Sequence, residues 1–303
     1  IVPELNSGGA ERSTLEIVEA IARAGGRALV ASAGGRLETA IRAAGGEVIK
    51  LPVHSKNPAT VLANASRLVR LVRAEKVALL HVRSRAPAWS ALLAARRTRR
   101  PLVSTYHGAY EAKGPLKRLY NSAMVRADRV IANSTFTAKV MRTQYRLDAA
   151  RLRVIPRGAD LAVFNPAKAA GDRLARLSDW DSPGGALKLL LPARLTFWKG
   201  QDVAVAALGL LKRRRLAATG EAPLLRLILA GDVQGAGEFA GRLRRGILDR
   251  GVEDMVGLVG HCADMPAAYA WADAVLSPAT LPEAFGRVAV EAGAMRKPVV
   301  ASD

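Results

Sequence analysis

Two doubly wound α/β units, each a parallel sheet covered by helices on both faces, are the fold class that the sequence predicts. Three observations carry that expectation. The length of 303 residues exceeds what one hydrophobic core usually fills. Short apolar or β-branched runs alternate with amphipathic stretches of helical period almost throughout. The alternation breaks once, over a stretch rich in Pro, Gly and charge, and then resumes.

In chain order, Ile1-Val2 reads as the tail of a first strand. Strands are predicted at Arg27 to Ser32, Glu47 to Leu51, Val77 to Val82, Leu102 to Tyr106, Arg129 to Ala132 and Arg153 to Ile155, because each run is short, apolar and bounded by turn residues. Helical period marks Ala10 to Arg23, Ala59 to Arg73 and Thr135 to Tyr145. The irregular stretch from Pro156 to Gly185 sets the division: a first unit at 1–165, a linker at 166–185 and a second unit at 186–303. The second unit reads as strand Leu187 to Leu191, helix Gln201 to Arg213, strand Leu224 to Ala230, helix Ala236 to Arg250 and strand Met255 to Val259. Helix Met265 to Trp271, strand Ala274 to Ser277, helix Phe285 to Arg296 and strand Pro298 to Ala301 complete it.

Composition narrows the class of function. Half the residues are hydrophobic and 24% are charged, which is globular composition, and no apolar run approaches the ~20 residues needed to cross a bilayer. A single cysteine, Cys262, excludes an internal disulfide, and His54, His81, His107 and His261 are scattered without metal-ligand spacing. The net charge of +20 would attract any polyanion, although arginine on solvated helix faces accounts for the larger share of it. Three clusters stand out: Arg96-Arg97-Thr98-Arg99-Arg100, Lys113 with Lys117-Arg118, and Lys212-Arg213-Arg214-Arg215. Lys113 to Arg126 also interleaves its cations with Leu116, Leu119, Tyr120 and Met124, a pattern suited to an anionic membrane surface.

In open parallel sheets ligands bind beyond the carboxyl ends of the strands, and four segments with chemical content lie there. Asn6-Ser7-Gly8-Gly9-Ala10-Glu11-Arg12 opens the first helix, where glycines admit a close approach and free amides attract an anion. It does not match the G-x-G-x-x-G dinucleotide fingerprint. Arg194-Leu195-Thr196-Phe197-Trp198-Lys199-Gly200 places two cations around a strand-to-helix turn, able to grip a diphosphate from both sides. Glu283 precedes a predicted helix and Glu291 lies inside it beside Val288, Ala289 and Val290, so Glu291 is expected on a largely buried face, where it needs donors such as paired sugar hydroxyls. His107 closes the strand in Thr105-Tyr106-His107-Gly108. Each of these has an ordinary structural reading as well: a tight turn, a solvated cation, a helix-dipole acid, a surface histidine.

Taken together, in this order, the segments resemble the retaining glycosyltransferases of family 4. The E-x7-E pattern from Glu283 to Glu291, with Arg194 and Lys199 upstream, is the most specific mark; Gly8-Gly9-Ala10-Glu11, His107-Gly108, Asn133-Ser134 and Pro156-Arg157-Gly158-Ala159-Asp160 fit the same order. The resemblance covers nearly the whole chain and implies the GT-B fold, two Rossmann-like domains facing across a cleft, with the second incomplete because the chain stops at Ala301-Ser302-Asp303. Ala284 departs from the glycine often found there.

By that resemblance Gly8 and Gly9 would approach the donor phosphate, Arg194 and Lys199 would neutralise the diphosphate, and Glu283 would contact the donor sugar. The Phe285 and Gly286 amides would close on sugar or phosphate, Glu291 would hold the ribose, and Gly260-His261 would lie by the nucleobase. His107 would touch the sugar near the reaction centre. The expected activity is hexosyl transfer from a nucleotide sugar to a glycan, lipid or lipopolysaccharide acceptor, without a metal or other cofactor, in the cytoplasm or on the inner face of its membrane. A sugar-nucleotide epimerase of the same architecture is the nearer alternative. A glycoside hydrolase would have little use for the cations, and no aromatic RNA-binding motif, zinc finger or helix-turn-helix supports a nucleic-acid partner.

Overall fold

The structure, a computed structural model, describes residues 1–6, 8–108, 114–169, 171–180, 184–233 and 237–302. It divides into two compact units, Ile1–Arg157 and Gly158–Asp303.

The first unit runs α1 (Gly9–Arg23), β1 (Ala28–Ser32), α2 (Glu38–Ala43), β2 (Gly46–Lys50), α3 (Pro58–Ala74), β3 (Leu80–Val82), α4 (Ala88–Thr98), β4 (Leu102–Tyr106), α5 (Pro115–Val125), β5 (Arg129–Ala132), α6 (Thr135–Tyr145) and β6 (Leu152–Val154). β1 pairs with β2, and β3 to β6 form a second ladder; every pairing is parallel. The opening residues join the two ladders. Val2 N–H donates to Ala31 O at 3.1 Å and Ala33 N–H to Pro3 O at 3.0 Å, while Arg83 N–H donates to Ile1 O at 3.0 Å. The hydrogen-bonded order is therefore β2, β1, residues 1–3, β3, β4, β5, β6, and the winding direction reverses between residues 1–3 and β3. Such a reversal leaves a crevice at the carboxyl ends of the strands.

Local chemistry explains the helix starts. Asn57 caps α3 by accepting from Ala59 N–H at 2.9 Å, with Pro58 in the first turn, and Ser134 caps α6 by accepting from Thr137 N–H at 3.0 Å. The strand predicted from Val77 is shorter: Lys76 turns left-handed and Val77 N–H bonds back to Val72 O at 3.0 Å, so Val77 closes α3. Leu68, Leu102, Tyr106 and Met124 are fully buried beneath the helices, each aliphatic one contributing about 1.5–3 kcal/mol by leaving water. Met124 therefore belongs to the core and not to the apolar-basic face expected of Lys113 to Arg126. Leu116 and Leu119 of that face are 82% and 52% exposed. Lys113 lies outside the described residues.

The second unit contains β7 (Leu187–Pro192), α8 (Gln201–Thr219), β8 (Leu225–Ala230), α9 (Gly237–Leu248), β9 (Val256–Gly260), α10 (Met265–Trp271), β10 (Ala274–Ser277), α11 (Arg287–Ala294) and β11 (Val299–Ala301), after a short α7 (Asp172–Ala175). Its sheet is parallel throughout with order β11-β10-β7-β8-β9, so winding reverses between β7 and β10. The predicted linker is not a free connection. Residues 158–165 and the described part of 166–185 belong to this unit: Phe164, Ala169 and Trp180 are buried in its core. Trp180 meets Trp271 edge-on at 5.4 Å, Phe164 meets Tyr269 at 6.0 Å, and Arg173 Nε donates to Asp264 Oδ2 at 2.8 Å. Sparse, irregularly spaced aromatics packing on α10 give no periodic signal. Among the described residues no helix is long and apolar enough to cross a membrane.

Candidate functional site

In the second unit the loops that leave β7 and β10 are pressed together at the reversal point. Gly200, left-handed at φ 75°, has no room for a Cβ, which would overlap the Pro278 carbonyl. Thr280 N–H donates to Trp198 O at 2.9 Å, tying one loop to the other. Gln201, fully buried at the start of α8, donates Nε2 to the carbonyl of Arg194 at 2.8 Å and fixes the backbone from which Arg194 projects. Gly231, after β8, likewise has no room for a side chain against the Ala193 carbonyl.

On this frame Lys199 Nζ forms an ion pair with Glu283 Oε1, and the ammonium also sits 4.3 Å from the Trp198 ring centroid. Arg194 is exposed on the same loop. Gly286, left-handed at φ 75°, caps α11 with Phe285 half-buried before it. Glu291 is largely buried, its side chain 15% exposed on the face of α11 that it shares with Val288 and Ala292, whereas Ala289 and Val290 point to solvent. The donors it needs are supplied by the protein: Tyr269 Oη–H donates to Oε2 at 2.9 Å and Arg287 Nε to Oε1 at 3.0 Å. Two carboxylate oxygens retain lone pairs beyond these two bonds, so the group can still accept from a ligand. Gly260 ends β9 left-handed at φ 68°, and His261 follows it with Nδ1 3.9 Å from Asp232 Oδ2.

In the first unit Gly9 begins α1, and the Glu11 carboxylate folds back against Gly8, where a side chain would collide with it. His107 leaves β4, and Arg157 leaves β6. The Arg157 guanidinium donates to the Gly9 carbonyl through one nitrogen and meets His107 Nδ1 through the other. His107 and Gly9, far apart in sequence, are thus brought to one cation. Arg83, 4% exposed, donates to Ser13 Oγ beneath α1, while its Nε and Nη1 have no partner among the described residues. Burial first, and then the charge of Arg157, bring the Arg83 guanidinium down to about 10. Arg85 turns elsewhere, donating to Asn121 Oδ1 at 3.2 Å. Asn133-Ser134 serves the local backbone, since Ser134 caps α6 and Asn133 Oδ1 accepts from Thr137 Oγ1. Arg157 and Tyr269 are the residues that the sequence does not single out. Arg157 lies within the Pro156 to Asp160 motif, and nothing in its local context shows where its guanidinium goes. Among the described residues no group of three or more His, Cys, Asp or Glu side chains could hold a metal ion.

Comparison with known proteins gives this geometry a context. Residues 7–163 match Glycosyltransferase Family 4, and residues 176–303 match Glycosyl transferases group 1. A D-inositol 3-phosphate glycosyltransferase of Jonesia denitrificans is 32% identical over 227 residues, 70% of this chain and 52% of the relative. Another of that name from Pseudarthrobacter chlorophenolicus is 35% identical over 179 residues, 58% of this chain and 40% of the relative. The chain thus spans about half the length, or less, of these curated relatives. Among solved structures, a glycosyltransferase from Rickettsia africae superposes with a TM-score of 0.86 at 30% identity, over 99% of this chain and 78% of that one. Anabaena Alr3699/HepE in complex with UDP and glucose gives 0.79 at 26% identity, over 99% and 79%.

Proposed function

The chain belongs to Glycosyltransferase Family 4, its second half being of the group 1 type, with the GT-B fold, and from this premise we propose that it moves a sugar from a nucleotide diphosphate sugar to an acceptor hydroxyl with retention at the anomeric carbon. The observation that carries the reading is the Lys199–Glu283 pair, set where the loops after β7 and β10 meet. That is where an open parallel sheet offers a ligand its crevice. A mobile cation for a diphosphate and a carboxylate for sugar hydroxyls are there side by side.

In the proposed reaction the bond between the anomeric carbon and the phosphate oxygen breaks while the acceptor oxygen bonds to that carbon on the same face. The acceptor's proton passes to the departing phosphate oxygen. Negative charge grows on the diphosphate as the bond lengthens, and Arg194 and Lys199 stabilise it with little reorganisation. Glu283 orients the sugar, the amides at Phe285 and Gly286 close on it, Glu291 accepts from the ribose, and Gly260-His261 flanks the base. His107 meets the sugar, and Gly9 at the start of α1 meets the donor phosphate. The HepE complex with UDP and glucose supports a uridine nucleotide as donor.

For the acceptor, we propose a molecule that carries a phosphate. The name of the D-inositol 3-phosphate glycosyltransferases supports the same chemistry. Exposed Leu116 and Leu119 beside Lys117 and Arg118 support a second element of the reading, docking on an anionic membrane surface that presents a lipid-linked acceptor. Co-sedimentation with phosphatidylglycerol vesicles, abolished by Leu116→Ser with Leu119→Ser, tests it.

The decisive experiment incubates the protein with UDP-, GDP- and ADP-sugars, with and without phosphorylated polyols and lipid-linked glycans. Nucleotide release that requires acceptor, with an α-linked product from an α-linked donor, is the expected result. Interconversion of the nucleotide sugar without acceptor would identify an epimerase instead. Cleavage of glycans indifferent to any nucleotide would point to a hydrolase.

A further inference from the structure

We propose that Arg157 is a positioning residue: it fixes His107 as a neutral imidazole whose Nε2 carries the proton, so that His107 acts as a hydrogen-bond donor and not as a base. The inference rests on the reading of His107 as a residue facing the transferred sugar, and it names how the ring is prepared for that role.

A guanidinium limits what its neighbour can be. Arginine has only donors and keeps its charge at any physiological pH, so a ring nitrogen that meets it must present a lone pair. Arg157 meets His107 at Nδ1. In a neutral imidazole one nitrogen bears the proton and the other does not. With Nδ1 committed as acceptor, the proton belongs on Nε2. That second nitrogen is buried and has no hydrogen-bond partner among the described residues. A buried N–H without an acceptor costs free energy, and a substrate oxygen supplies the missing acceptor. A proton on Nε2 also excludes that nitrogen as an acceptor for the attacking hydroxyl. This agrees with a reaction in which the departing phosphate oxygen takes the acceptor's proton.

Arg157 is built to hold this arrangement. Its other nitrogen donates to the Gly9 carbonyl at the first residue of α1. One rigid fork therefore spaces the imidazole from the helix that receives the phosphate in the proposed reaction. Among the described residues the charged side chains gathered here are Arg83, on which Arg157 acts, with Glu16 and Glu11 of α1 acting on Arg83 in the opposite sense. Arg157 is the member of this group that meets the ring at Nδ1. A lysine would retain the charge, but its single ammonium on a flexible stem cannot span carbonyl and imidazole in the same plane.

The test uses the full chain labelled with 15N-histidine, with the His107 signals assigned by their loss in His107→Gln. In the unaltered protein His107 should show a protonated Nε2 and a bare Nδ1, and should stay neutral from about pH 8 to about pH 5.5. In Arg157→Met the ring should take up a second proton near the ordinary value of about 6.5. Arg157→Lys, which keeps the charge, guards against simple misfolding and should give an intermediate response with an unchanged melting temperature. In turnover, Arg157→Met should lower kcat by about tenfold or more with the donor KM changed by less than about threefold. On the His107→Gln background, whose amide still donates, the same change should cost less than about twofold, the non-additivity expected of one residue acting through another. A proton on Nδ1, or an unaltered His107 titration in Arg157→Met, overturns the proposal, as does an equal loss on both backgrounds. Absence of sugar transfer by the unaltered protein, with the NMR signature intact, counts against the transferase reading and leaves the Arg157–His107 arrangement standing.

Discussion

Lys199 Nζ and Glu283 Oε1 are in direct ionic contact across the seam between two loops that lie 84 positions apart in the chain. The side chains are only 16% and 21% exposed, so water does not replace either partner freely. In the proposed reaction a diphosphate entering here would compete with Glu283 for the ammonium and release the carboxylate toward the sugar. Removing either group therefore leaves the other charged and poorly solvated. Lys199→Ala should lower kcat by roughly 10²–10³-fold, the range for losing one preorganised charge stabiliser. Steady-state kinetics on the preferred donor checks this, and wild-type turnover in Lys199→Ala would remove the diphosphate role.

Tyr269 is fully buried and donates its hydroxyl to Glu291. Burial foremost, with the adjacent Glu291 charge, raises the phenol well above its usual range, so it remains a donor at every working pH. Tyr269→Phe should cost about 1.5–3 kcal/mol of stability, the value of a hydrogen bond to a charged group, by urea unfolding. It should also raise the donor KM several-fold, because Glu291 loses the bond that orients it. An unchanged KM would show that Glu291 does not meet the nucleotide.

Gly200 holds a left-handed backbone against the Pro278 carbonyl. Gly200→Ala must strain φ and part the two loops, at a cost of at least about 1 kcal/mol. Because Lys199 is its neighbour, activity should fall further than stability. A variant as stable and active as the original would show that the loops need not touch.

His81 in β3 bonds through Nε2 to Thr105 Oγ1 at 2.7 Å. Burial first, then Arg83, bring it down to about 3 from an ordinary 6.5. The unfolded chain therefore binds a proton here that the folded chain refuses between those two values. The sign follows: this stability is complete above about 6.5 and is lost as pH falls toward 3, at up to about 1.4 kcal/mol per pH unit. Urea midpoints measured from about pH 7 to pH 4 should show the slope, and His81→Gln should flatten it.

The fold and the site are legible in the sequence where information is local. Gly200, Gly286 and the strand ends around Arg194 and Pro278 follow from turn residues next to apolar runs, and these bring Lys199 and Glu283 together. Long-range contact leaves no such trace. Arg157 reaches His107 and Gly9 across most of the first unit, and Tyr269 reaches Glu291 from another helix; neither leaves a pattern in its own neighbourhood. The exposed Ala289 and Val290 show the converse error, since short apolar side chains suggest burial while the hidden side of α11 is formed by Val288, Glu291 and Ala292. Ile1-Val2 is recognisable as extended, but its place between β1 and β3 depends on partners at Ala31 and Arg83.

Phe164 rests edge-on against Tyr269, whose hydroxyl holds Glu291. The passage between the halves of the chain is consequently a strut beneath the carboxylate assigned to the ribose. Shortening or softening that stretch would reach Glu291 through an aromatic ring and a phenol. Grafting the second half onto another scaffold therefore requires the preceding residues from Gly158 onward, because without them Tyr269 loses its backing and Glu291 its fixed donor.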